Sequence, residues 1–92
     1  MVAEQHIAAL ATDELLARLG PHPSDGDEAH WALPTELLVG TSTRQMRVCR
    51  EIMASLGEKL SRRMRPVDVT LTSSTNHEGE LVQTISLIVA AA

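Results

Sequence analysis

The spacing of apolar residues in this chain changes period once, at Pro66. Across 42–65 they recur every three or four positions, at Met46, Cys49, Met53, Leu56 and Leu60, with Ile52 and Met64 at the flank. That is one face of a helix. From Val67 onward they alternate: Val67, Val69 and Leu71 share one face of VDVTLT, and Leu81, Gln83, Ile85, Leu87 and Val89 one face of LVQTISLIV. Period two marks half-buried strands. The SSTNHEGE stretch between them (73–80) is rich in turn formers, with Asn76 and Gly79 suited to positive φ, so 67–89 is predicted to be an antiparallel β-hairpin.

Local signals support the long helix over 42–65. Ser42 three residues before Gln45 is a capping box, Glu58 and Arg62 are spaced for an i,i+4 ion pair, and Pro66 ends it. Arg62, Arg63 and Arg65 at its C-terminal end complement the helix dipole. Gly57 is its weak point, costing about 1 kcal/mol relative to alanine.

Upstream, 1–19 carries a looser helical stripe, Ile7, Leu10, Leu15 and Leu19, closed by Gly20-Pro21. Thr12-Asp13-Glu14 has the form of an N-cap with an acidic first turn, so the element is one helix or a short helix followed by 13–19. The acidic HPSDGDE stretch (22–28) reads as a mobile loop. The rest of 20–41 holds Trp31, Leu33, Leu37, Leu38 and Val39 and reads as an irregular segment laid over the core, with Pro34-Thr35-Glu36 able to open a short helix.

At 92 residues, the chain is expected to be one small α+β domain (1–92). Its order is N-terminal helix, irregular tryptophan segment, long amphipathic helix, C-terminal hairpin. A lone hairpin is marginal in water. Its second strand is also apolar on the opposite face, at Val82 and Ile88, and runs into Ala90-Ala91-Ala92 with no charge or proline to guard an edge. The sheet is therefore expected to be completed by oligomerisation, in a homodimer or with another protein, with Val82, Ile85, Leu87, Ile88 and Val89 in the self-association surface. A third strand hidden within 31–39 is the competing explanation.

Trp31 is the only aromatic residue, so the core must be aliphatic and the stacking platforms of single-strand nucleic-acid binders are missing. Cys49 is the only cysteine, which excludes an intramolecular disulfide and any Cys-based zinc spacing. Placed between Met46 and Met53, it reads as an inert thiol. Glu4 and His6 without a basic n-region, and no apolar run near the ~20 residues of a membrane span, lead to the expectation of a cytoplasmic protein without membrane association.

Charge supplies the handle on function. Every basic residue except Arg18 lies in 44–65, although the chain as a whole is at −4 with a pI near 5.4. Arg44, Arg47, Arg62, Arg63 and Arg65 are the candidates for an acidic protein partner; neutralisation by the protein's own acidic N-terminal half is the plainer reading of the same residues. His22, Asp25, Asp27, Glu28 and His30 include metal-ligand types but sit in a loop without fixed geometry, and His77 belongs to a hairpin tip. No cofactor, metal or catalytic residue is expected. The sequence points to a non-enzymatic protein–protein interaction module, an assembly factor, chaperone, adaptor or regulatory subunit, that associates through its C-terminal hairpin. A nucleic-acid-binding regulator using the basic helix 44–65 is the alternative, and a small metal-dependent enzyme using His22, His30 or His77 the third.

Overall fold

The structure, a computed structural model, describes residues 3–34, 37 and 40–92. Five elements follow in order: α1 (Glu4–Leu19), β1 (Glu28–Leu33), α2 (Ser42–Lys59), β2 (Met64–Thr75) and β3 (Leu81–Ala91). The three strands form one antiparallel sheet in the order β1-β3-β2. Because β1 and β2 both oppose β3, they run parallel to each other, and α2 links them across the inserted β3 in a split β-α-β arrangement. Both helices cover the same sheet face, α1 packing on α2 and β1, α2 on β2.

The core is aliphatic apart from Trp31. Ile7, Ala8, Ala11 and Leu15 of α1 and Val48, Ile52 and Leu56 of α2 close over Ala29, Trp31, Leu33, Val69, Ile85, Leu87 and Val89. Small residues on α1 let the two helices approach. Thr12, expected as an N-cap, is instead a fully buried mid-helix residue whose Oγ1 donates to the Ala8 carbonyl at 2.7 Å. Its hydroxyl finds a partner inside the same helix, so the helix runs through without a break.

The long helix stops earlier than its stripe suggested. Thr41, one residue before Ser42, is the N-cap and accepts from the Arg44 N–H. Gln45 Nε2 reaches back to the Gly40 carbonyl. At the other end Leu60 is already extended (φ −72°, ψ 153°), Arg62 and Arg63 lie in a turn, and Arg65 and Pro66 belong to β2. The residue before a proline is pushed out of the α region, and extended backbone from Met64 gains ladder partners at Ala91 and Ala90. A bulge between Pro66 and Asp68 absorbs the missing N–H. The helical face is also rotated by about one position: Val48, Ile52 and Leu56 are its buried line, Cys49 and Met53 flank it, and Met46 is 57% exposed.

The hairpin is present with longer strands and a tighter turn than 73–80. Asn76 keeps negative φ and caps the turn with Oδ1, which accepts from the Glu78 and Glu80 N–H groups at 3.0 and 2.9 Å; Gly79 alone takes the positive φ there. The expectation of an unguarded hairpin edge at β3 is overturned. β3 is the central strand, paired on both sides, and Ile85, Leu87 and Val89 are fully buried beneath the helices. Of the proposed assembly residues only Val82 and Ile88 lie on the opposite face, half-buried.

The missing strand comes from this chain. It starts three residues before Trp31, with Ala29, Trp31 and Leu33 buried and Glu28, His30 and Ala32 outward. Thr35, Glu36, Leu38 and Val39, with the short helix expected at Pro34, lie outside the described residues. The acidic loop before β1 is stitched down: the Gly26 N–H donates to Val89 O at 2.9 Å, Val89 N–H to Asp27 O at 3.0 Å, and Ala91 N–H to Asp25 Oδ1 at 2.8 Å.

Candidate functional site

The basic residues divide by what they meet. Glu4 on α1 lies 3.6 Å from Arg44 Nε and 3.3 Å from Arg47 Nη2, and Asp13 accepts from Lys59 at 3.2 Å. The acidic helix α1 therefore neutralises much of the α2 charge within the molecule. Arg50, Arg62, Arg63 and Arg65 are exposed and form no ion pair among the described residues. The five candidate arginines are not one surface: Arg44 and Arg47 sit on Glu4, Arg62 and Arg63 in the α2–β2 turn, and Arg65 on the outward face of β2, opposite Ala90. Glu58 and Arg62 no longer share a helix.

Arg50 stands beside an open cleft between α2 and β2. The rim of α2 (Gln45, Met46, Cys49, Arg50) and β2 (Val69, Thr70, Leu71) line about 370 Å³ of groove that is broadly open to solvent. Apolar atoms make most of its wall. Burial, and secondly the Asp68 carboxylate, push the Cys49 thiol above the usual cysteine range, so it is protonated and weakly nucleophilic at neutral pH. β2, which forms one wall of the cleft, is an edge strand whose outer side pairs with no strand among the described residues. That edge has two parts. Arg65, Pro66, the bulge and Asp68 guard its start, whereas 69–75 (VTLTSST) carries no charge and no proline. The opposite edge, β1, is half as long and bears Glu28 and His30.

The uncovered sheet face brings together residues that no sequence spacing linked. His30 Nδ1 lies 2.8 Å from Ser86 Oγ, and His30 Nε2 lies 3.7 Å from Glu28 Oε2. The order hydroxyl, imidazole, carboxylate is that of a nucleophile relay. Here it lies flat on an open sheet, more than half exposed at His30 and Glu28, and none of the described clefts contains Ser86. Acyl transfer would also need a pocket and aligned oxyanion donors beside Ser86. His22 lines a separate cleft of about 530 Å³ with Arg63, and His77 sits at the exposed hairpin tip.

Sequence reasoning missed the cleft because it placed Met46, Cys49 and Met53 at the centre of the buried stripe instead of its rim. The i,i+4 series Val48, Ile52, Leu56 was the signal that would have set the phase. No protein-family model, no curated protein and no solved structure matches the chain.

Proposed function

We propose that this chain is a non-enzymatic protein–protein interaction module, an adaptor or regulatory subunit, that accepts an extended segment of another chain on the outer edge of β2. The observation that carries this reading is the charge-free, proline-free edge 69–75 lying directly beside an apolar cleft. Main-chain hydrogen bonds to such an edge supply affinity, and the cleft supplies side-chain selectivity. The β2 edge takes the place of the hairpin's β3 as the assembly element. A reducing cytoplasmic setting suits its free thiol. Nucleic-acid binding has less support, because α1 carboxylates occupy three α2 bases and the remaining ones are dispersed.

Capture from a lysate of the source organism tests the module. Met46 is exposed on a helix, so Met46→Glu leaves the core intact while putting a charge into the cleft. Proteins retained by wild type and lost with Met46→Glu support the reading. Identical captured sets for both proteins, or none for either, would overturn it.

A further inference from the structure

The cleft is charged on one side only. Among the described residues, Arg50 is the single basic group in its wall and no carboxylate lines it. The other α2 cations, Arg44, Arg47 and Lys59, are held by Glu4 and Asp13, leaving Arg50 as the α2 base without an ion pair among the described residues. The neutralisation of the basic helix by the protein's own acidic half therefore stops where the cleft begins.

Resting on the interaction reading above, we infer that the occupant of the β2 edge is an acidic extended segment of a different protein. It would place an apolar side chain between Met46 and Leu71 and a carboxylate against the Arg50 guanidinium. Arginine favours a carboxylate through two parallel N–H donors.

A second copy is the rival occupant, and charge argues against it. In a two-fold β2–β2 pairing the same patch is used on both subunits. Each Arg50 would then be offered a cleft wall of the same composition as its own, with an arginine and, among the described residues, no carboxylate. Like charges placed face to face suppress a pairing. An acidic foreign strand meets no such barrier.

The experiment has two arms on the full chain. Random twelve-residue peptides displayed on phage are selected against wild type and against Arg50→Glu, and the solution mass of both proteins is measured over a concentration series. The expected result is a monomer that enriches peptides with alternating apolar positions and an Asp or Glu at one fixed position. Synthetic copies should lose at least about tenfold in affinity with Arg50→Glu, the scale of one lost charge-assisted contact. Selection on Arg50→Glu should exchange the acid for Lys or Arg, and bound peptide should slow alkylation of Cys49. A dimer that Met46→Glu dissociates would overturn the acidic-segment inference while leaving the β2 edge as an interaction site. Enriched peptides indifferent to Arg50→Glu overturn it as well. A monomer that enriches nothing defeats both this inference and the interaction reading.

Discussion

Truncating Ile85 and Ile88 separately distinguishes a central β3 from an assembling one. The two side chains lie on opposite faces of the same strand, and both were candidates for a self-interface. Ile85 is fully buried among α-helical and strand residues of the core, whereas Ile88 is half-buried on the uncovered face between Glu28 and Asp68. Ile85→Ala removes three carbon groups at about 0.8 kcal/mol each and leaves a cavity that the surrounding helices fill only partly. The expected loss is about 3–4 kcal/mol. Ile88→Ala leaves no cavity and forfeits part of the transfer term, about 1 kcal/mol. A domain of this length has roughly 5–14 kcal/mol of total stability, at about 0.05–0.15 kcal/mol per residue. Ile85→Ala thus removes a large share of it and should lower Tm by roughly 15–25 °C, against about 5 °C for Ile88→Ala. Thermal melts followed by circular dichroism at several protein concentrations provide the assay. Equal losses at the two sites would refute the assignment of faces. An Ile85→Ala deficit that recovers with rising concentration would refute it too, since only an interface residue makes stability depend on mass action.

Further expectations rest on separate contacts. Glu4→Gln removes the carboxylate shared by Arg44 and Arg47; being partly exposed, it should cost no more than about 1 kcal/mol, and urea midpoints should show the cost shrinking at high salt. Thr12→Val replaces the back-bonded hydroxyl with a methyl of similar size and should stay within about 1 kcal/mol of wild type, whereas Thr12→Arg should prevent close packing of α1 on α2 and unfold much of the population. Cys49 has a raised thiol pKa, so its iodoacetamide alkylation should lag behind that of a free thiol at neutral pH and accelerate only above the ordinary cysteine range; a rate maximal near pH 7 would contradict its surroundings. The same shift fixes the stability trend. The neutral thiol is the favoured folded form, so this contribution is complete below the unfolded pKa and declines as pH rises through the folded one, a decline that Cys49→Ala should remove.

Sequence determined the elements that rest on local periodicity and punctuation. The period change between 42–65 and 67–89 identified a helix and a hairpin, Gly20-Pro21 closed α1, and Asn76 with Gly79 formed the turn. Such signals act over a few residues and need no partner. Tertiary structure decided the rest. Whether LVQTISLIV lies at an edge or at the centre depends on β1 arriving from more than fifty residues away, and EAHWAL, with alanine at two of its six positions, is too short and too weakly apolar to announce itself. The reach of α2 was settled by competition, because Met64 and Arg65 gain ladder bonds to β3 that a last helical turn could not match. The acidic and basic halves could be counted from the sequence, but only the packing of α1 on α2 decided that Glu4 and Asp13 meet Arg44, Arg47 and Lys59 while Arg50 is left beside the cleft.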